Sequence, residues 1–435
     1  MERYEFLTIL AEQIRIRRVR SAVVEEIENH IEDQKTAFMA EGMTEREAEE
    51  AAVLEMGDPV ETGAALDRIH RPKMEWSVLV GVLFISFLGL ILQYVVYMTA
   101  HPSGLSWAEA FTDGGIGKHL LLMLAGILLM LLICWVDYTI INKYAVTLWI
   151  LINALLVLCT VKGMPVNGRP QYLVQLSCLV IPFYAGILYH FRGQGGKGMA
   201  KSIGCLCIPF AILISHYMLS STIIIGIVGL ILIHAAIYKK WFGEKRKALY
   251  IKLWCLLILA AAVFLGILIA ASGGRGLAEY QVERIDAWLH PEKYEAYTFF
   301  AEEVAETARH AREDSVFLTI NMLDAVKNSY LWVFLFGYLG TGKGIALTVL
   351  VVCFWAFLFY MVKRQKNQFG YMVSLGCVAF LSIQTVIYIA MNFSAIPFGT
   401  AYMPFISGGG SFLLISYFYM GILLSVCNNS RVAEI

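Results

Sequence analysis

The chain has 435 residues, 58% of them apolar and 16% charged, and its 34 Lys and Arg balance 34 Asp and Glu. With a positive mean hydropathy, this composition excludes an ordinary soluble domain and predicts an integral, all-α membrane protein with the lipid bilayer as its first partner. The balanced charge favours neither an acidic nor a basic partner, and no nucleic-acid partner is expected.

The opening stretch MERYEFLTILAEQIRIRRVR is charged throughout and lacks the apolar centre of a signal peptide, so the N-terminus is expected to stay in the cytoplasm. Residues 1–73 read as a small cytoplasmic helical domain. Val24, Ile27, Ile31 and Phe38 recur near helical spacing. Further on, EGMTEREAEEAAVLEMGDPVE reads as loop, helix and stop, with Thr44 capping, Glu47 returning the bond, and Gly57 and Pro59 closing the helix. His30 has no second ligand at metal spacing and reads as a surface or packing residue.

Residues 76–427 read as a transmembrane domain. Apolar stretches of roughly bilayer length recur at Ser77–Met98, Leu120–Trp135, Tyr144–Val161, Ser177–Phe191, Ile203–Ser215, Leu219–Tyr238, Leu253–Ala271, Tyr330–Val362, Tyr371–Ala390 and Gly409–Val426. About ten transmembrane helices are therefore expected. With the N-terminus inside, HFRGQGGKGMAK, KKWFGEKRKALYIK and KRQKNQ all fall on the cytoplasmic side. The C-terminus is then cytoplasmic too, and a large loop, residues 272–329, is extracellular. The nine cysteines lie in or beside apolar segments without CxxC spacing, which speaks against a disulfide scaffold or a Cys metal site.

The second half of the large loop has helical spacing and mixed charge, and reads as an amphipathic surface helix on which Glu302, Glu303 and Glu306 are solvated. After it, FGYLGTGKGIA imitates a phosphate-binding loop through Gly337, Gly342 and Lys343. Gly344 stands where such a loop needs Ser or Thr for Mg²⁺, and the flanks are long apolar runs, so the match reads as accidental. The segment PFGTAYMPFISGGGS is costly in a simple helix and makes sense where irregular backbone lines a cavity, its Gly run bringing amides close to an anionic ligand.

Two resemblances follow from these residues. EEIENHIEDQ with EGMTEREAEEAAVLEMGDPVE is similar to the HAAS domain, a short cytoplasmic helical domain found ahead of membrane segments in bacterial proteins. MPFISGGGSFLLISYFYMGILLSV closely resembles the C-terminal signature of the FtsW/RodA/SpoVE (SEDS) family, and the match runs back through Gln384 and Pro397. YQVERIDAWLHPEK resembles the start of that family's large outer loop, and NGRPQYL the loop after its third span.

The resemblance implies a multi-pass bacterial membrane glycosyltransferase that polymerises peptidoglycan from lipid II, in elongation, division or sporulation, beside a penicillin-binding transpeptidase. It implies substrate-binding roles for Arg284, Trp288, Pro291, Gln384, Pro404, Ser407, Gly409, Gly410 and Ser411. A carboxylate would take the proton of the attacking sugar hydroxyl, and positive charge would meet the departing pyrophosphate. The cofactor is left open, a divalent cation such as Mg²⁺ or Mn²⁺ being the chemical option.

Two positions depart from the family pattern. Aligning Leu339 and Gly340 with a family Leu-Gly puts the expected catalytic Asp on Ser329, which makes GYLGTGKG the interior of a span. Pro182 is kept where the family carries a charged pair, but Tyr184 and Ile187 take the charged positions. Asp324, five residues before Ser329, is the candidate replacement base, ahead of the more distant Glu313 and Asp314. A non-catalytic paralogue that binds precursor or partner proteins is the alternative. A lipid-linked sugar flippase is less favoured, because the spans hold few ionisable residues.

Overall fold

The structure, a computed structural model, describes residues 1–15, 17–70, 74–100, 116–163, 165–166, 169–170, 172–243, 245–271, 283, 286–290, 303–311, 320–396 and 401–429. The chain divides into two compact units, Met1–Glu75 with Cys427–Ile435, and Trp76–Val426.

The first unit contains α1 (Arg3–Gln13), α2 (Arg17–Ala40), α3 (Glu45–Glu55) and α4 (Pro59–His70). Phe6, Leu7, Leu10 and Ile14 pack with Val23, Ile31, Ala52 and Val53, so the charged opening stretch carries much of the core. Ion pairs surround it. Arg3 reaches Glu28 at 2.9 Å and Glu32 at 2.6 Å, and Lys35 reaches Glu45 at 2.9 Å and Glu49 at 3.3 Å. The capping box is present: Glu47 Oε2 accepts from the Thr44 amide at 3.1 Å and from its hydroxyl at 2.6 Å. Gly57 turns the chain at φ 77°, and Pro59 then begins α4, where a missing N–H costs nothing. His30 is exposed.

The membrane unit is helical. Its elements are α5 (Trp76–Ala100), α6 (Ile116–Trp135), α7 (Ala145–Lys162), α8 (Leu173–His190), α9 (Gly195–Ser215), α10 (Leu219–Tyr238) and α11 (Arg246–Ala271). After the large loop come α12 (Ile320–Ala325), a π-helical turn at Val326–Tyr330, α13 (Leu331–Leu339), α14 (Thr341–Lys363), α15 (Gln368–Asn392) and α16 (Gly410–Asn428). Among the described residues, nine helices are long and apolar enough to cross a membrane. A two-residue antiparallel pairing of Pro165–Val166 with Arg169–Pro170 interrupts the helices between α7 and α8.

Three sequence boundaries move. The predicted span Tyr330–Val362 is two helices, broken at Gly340, whose φ of 86° and ψ of 156° suit glycine and few other residues. The pair folds back on itself. Trp332 Nε1 donates to Thr348 Oγ1 at 3.0 Å, and a Cβ on Gly344 would lie 2.6 Å from the Phe336 ring. GYLGTGKG is therefore a hinge between helices rather than the interior of a span, and with a helix before it, it is no nucleotide loop. The fourth span begins earlier than Ser177, at Leu173. The fifth begins at Gly195, because Gly193 and Gly195 adopt positive φ and turn the chain into a helix that GGKGMAK already belongs to.

Close backbone approach organises the interior, as expected where apolar lipid offers helices little incentive to associate. A Cβ on Gly126 of α6 would fall 2.0 Å from the Tyr417 ring of α16, and one on Gly421 would fall 2.9 Å from the Met130 carbonyl. The Tyr417 hydroxyl donates to Ser86 of α5 at 2.7 Å. Thus α5, α6 and α16 share one tight seam.

Two outcomes follow from these contacts. Gly126→Val is expected to lower the stability of the detergent-solubilised protein by about 1–3 kcal/mol through overpacking. Gly204→Ala, with nothing within 4 Å of its Cβ, should melt like the natural protein. In the first unit, hydrogen bonds from Lys35 and Thr44 hold the Glu45 and Glu47 carboxyls below their ordinary value of 4.5, and Glu45 raises Lys35 above 10.5. The carboxylates therefore stabilise the fold above their ordinary range and lose that contribution as pH falls through the lowered values. Lys35 loses its contribution only as pH rises through its raised value. Glu47→Ala should speed amide exchange in the first turn of α3 at pH 7, a difference that closes in acid.

Candidate functional site at the mouth of the membrane unit

One end of the bundle collects the C-termini of α5 and α15, the N-termini of α6 and α16, and the segment 320–339. The π-helical turn here breaks the regular i→i−4 ladder, which leaves main-chain groups needing partners. Side chains from distant helices supply them. Asn392 Oδ1 accepts from the amides of Trp332 and Val333 at 3.0 and 3.1 Å, and Tyr388 Oη accepts from Leu331 at 3.1 Å. Asn392 Nδ2 donates to the carbonyls of Ser329 and Tyr388 at 2.8 and 2.9 Å. The carboxamide orientation is fixed by this pattern, since exchanging its O and N would set donor against donor. Asn392 thus caps the start of α13 from 60 residues away.

A second fastening holds the same turn from the other side. The Lys327 carbonyl accepts from Gln93 Nε2 of α5 at 3.1 Å and from the Gly408 amide at 2.9 Å. Gln93 Nε2 also donates to the Ile406 carbonyl at 2.8 Å. Segment 401–408 is non-helical yet almost wholly buried. Phe405, 1% exposed, sits at φ 66°, an outlier for an aromatic residue. A Cβ on Gly89 would lie 2.4 Å from the Phe405 carbonyl, so α5 makes room for this backbone with a glycine.

The sequence-derived site residues take different places around these fastenings. Ser329 is half-buried with its carbonyl held by Asn392. Asp324 is exposed, and its carbonyl accepts from Asn328 Nδ2 at 2.9 Å. Pro404 is buried, and Ser407, 3% exposed, turns its hydroxyl onto the Met403 carbonyl at 3.1 Å. Gly409 and Gly410 are half-buried at the start of α16, and Ser411 is exposed. Gln384 is 3% exposed, one turn before Tyr388, with no partner for Oε1. Trp288 donates from Nε1 to the Ser394 carbonyl at 3.1 Å, tying the large loop to the end of α15.

Arg284 and Pro291 lie outside the described residues, as do Pro397, Glu302, Glu313 and Asp314. Glu303 and Glu306 belong to a helical stretch, 303–311, whose Val304 and Ala308 are buried. Where the sequence pattern expects a charged pair, Tyr184 is buried and donates to the Ser202 carbonyl at 3.2 Å, and Ile187 is buried. No group of three His, Cys, Asp or Glu at metal-binding distance occurs among the described residues.

Sequence reading missed Gln93, Lys327, Tyr388 and Asn392. Their signal was a polar side chain inside or at the edge of an apolar span, where each must find a partner or a function.

Residues 334–432 match the FtsW/RodA/SpoVE family model, described as cell cycle protein. A probable peptidoglycan glycosyltransferase FtsW from Thioalkalivibrio sp. (strain K90mix) is 27% identical over 97 residues, 22% of this chain and 24% of that relative. The chain therefore spans about a quarter of the length of that relative in the match.

Among solved structures, one reported for a peptidoglycan synthase complex that coordinates polymerization and crosslinking aligns with a TM-score of 0.62 at 16% identity, covering 82% of this chain and 98% of that one. The rod shape determining protein RodA of Thermus thermophilus aligns at 0.52 and 15% identity, over 83% and 98%, and a mutant of it at 0.53 and 14%, over 83% and 99%. The C-terminal segment is thus similar in sequence to the FtsW/RodA/SpoVE family, and the chain is similar in fold to RodA.

Proposed function

We propose that the membrane unit is a SEDS-type peptidoglycan glycosyltransferase that polymerises lipid II at the mouth formed by segments 320–339 and 401–411. One observation carries this reading. The turn at 326–333, where the resemblance puts the reacting carboxylate, is held at both ends by side chains and backbone of α5, α15 and the Gly-rich segment. Such preorganisation is what a group-transfer site requires.

In this mechanism the 4-hydroxyl of an acceptor sugar attacks the anomeric carbon of the lipid-linked donor. The bond to the pyrophosphate breaks, and the hydroxyl proton passes to a carboxylate. Asp324 is the candidate base: it lies in the helix that leads into the fastened turn and is exposed. The Lys and Arg clusters around residues 192–201, 239–252 and 363–366 lie at the end of the bundle opposite the mouth. They favour a cytoplasmic position for that end, with both termini inside and the mouth outside. A penicillin-binding transpeptidase is the proposed partner, and the four N-terminal helices are proposed as a HAAS-like cytoplasmic domain.

A second reading is favoured by one observation. Ser329, at the expected catalytic position, is a hydroxyl with no carboxylate beside it in the fastened turn, which suits a paralogue that binds lipid-linked precursor without joining it.

The test is strand synthesis from lipid II by the purified full chain, with and without a cognate transpeptidase. Asp324→Ala is expected to lower the rate by about 100-fold or more, and Ser329→Asp to raise it. Lipid II bound with no strands from the natural chain under either condition would replace the enzyme by the non-catalytic reading.

A further inference from the structure

The end of the membrane unit opposite the mouth is charged almost entirely with one sign. From Phe191 to Lys252 the chain carries nine Lys and Arg against one carboxylate, Glu244. The inward bias of basic loops accounts for their presence, but not for how three of them are arranged. Lys197 and Lys201 stand one turn apart on α9, and both are exposed. Lys252, exposed near the start of α11, reaches across to α9, where its Nζ donates to the Gly196 carbonyl at 2.9 Å. Lys201 Nζ donates to Gln194 Oε1 at 3.1 Å and lies 5.6 Å from the centre of the Phe191 ring. These contacts position the ammonium groups without neutralising them: among the described residues, none of the three lysines is ion-paired.

The same face of α9 continues into the apolar layer. Lys197, Lys201, Gly204 and Ile208 recur at i, i+4, i+7 and i+11 and are all exposed, which makes them one stripe facing lipid. Helical side chains lean toward the N-terminus, here the membrane surface, so both lysines reach headgroup level. A Cβ on Gly204 would meet nothing within 4 Å. One turn further, Ile208 closes one side of a groove of about 550 Å³, whose other side is α7 from Trp149 to Val161. Since α7 and α9 both start at the charged end, the groove runs about 18 Å inward from it, close to the ~15 Å of hydrocarbon in one leaflet. Its floor holds a donor in need of an acceptor: the Trp149 indole N–H, in a side chain 4% exposed, has no partner. Asn153, one turn deeper, donates from Nδ2 to the Trp149 carbonyl at 2.8 Å, and its Oδ1 is unpaired.

We propose that this stripe and groove form a binding site for one anionic phospholipid of the adjoining leaflet. Lys197, Lys201 and Lys252 receive the phosphodiester, an ester carbonyl accepts from Trp149, and one acyl chain passes Gly204 into the groove. A membrane lipid fits better than a soluble anion, because charge and groove lie on one continuous face at headgroup and hydrocarbon depth. Asn153 Oδ1 gains no donor from such a ligand. The site is separate from the mouth and does not depend on the glycosyltransferase reading.

For the test, the full chain in detergent is titrated with palmitoyl-oleoyl phosphatidylglycerol or, as the zwitterionic control, palmitoyl-oleoyl phosphatidylcholine. Native mass spectrometry then counts lipids retained per chain. One phosphatidylglycerol is expected to stay bound at concentrations where phosphatidylcholine does not. Lys201→Gln should weaken phosphatidylglycerol about fivefold, and Lys201→Gln with Lys252→Gln about 20-fold or more, with phosphatidylcholine unchanged. Gly204→Leu, built into open space, should weaken both lipids alike by blocking the path of the chain. Thermal melting checks that each variant folds. Because Lys252 also bonds Gly196, Lys201→Gln alone, at an exposed position, decides the headgroup claim if the double variant melts early. Equal retention of the two lipids by the natural chain, or phosphatidylglycerol affinity within twofold in the folded lysine variants, overturns the site. Unchanged binding in Gly204→Leu overturns the groove as the seat of the chain. A lipid-free dimer in the same spectra would give this face to a second copy of the protein instead.

Discussion

Everything at the mouth of this bundle depends on how the main chain of residues 326–333 is satisfied after its helical ladder breaks. A buried amide or carbonyl left without a partner costs about 1–3 kcal/mol. Asn392, Tyr388 and Gln93 answer that demand with hydrogen bonds between 2.8 and 3.1 Å. Because these side chains come from α5 and α15, the turn can hold its shape only if both helices keep their places. The buried backbone of 401–408, with Phe405 at positive φ, is tied into the same arrangement through Ile406 and Gly408. A local irregularity thus becomes the point where three distant parts of the chain meet.

The rest of the membrane unit serves that meeting point. Glycines at 89, 126 and 421 let α5, α6, α16 and the irregular backbone at Phe405 approach closely. The hinge at Gly340 returns the chain along α14, so that Trp332, fully buried, is braced by Thr348. Ser329, where the resemblance expects an acid, lies within the π-helical turn, and Lys327 stands two residues before it.

What could be read from sequence was local. Bilayer-length apolar runs, the Thr44–Glu47 capping box and the Gly-rich start of the last helix are set by short-range patterns, and all are present. The break at Gly340 is marked by the Gly-rich, polar GTGKG, yet the apolar runs on either side of it read as one continuous span from Tyr330 to Val362. The Asn392 cap was hidden for another reason: its partners lie 59 to 63 residues earlier, and periodicity carries no information about such pairs. The core of the first unit escaped because Phe6, Leu7, Leu10 and Ile14 are scattered through a stretch whose charge dominates its appearance. The candidate site was legible in position, at the Gly-rich segment and the entry to α13, but not in the residues that hold it.

The central claim is that Asn392 holds the turn. The most direct measurement is amide hydrogen exchange at Trp332 and Val333 in the full chain, comparing the natural protein with Asn392→Ala. Loss of a buried main-chain partner should speed exchange at both amides by about tenfold or more, with the amides of α14 unchanged. Equal exchange rates at both positions in the two proteins would contradict the account.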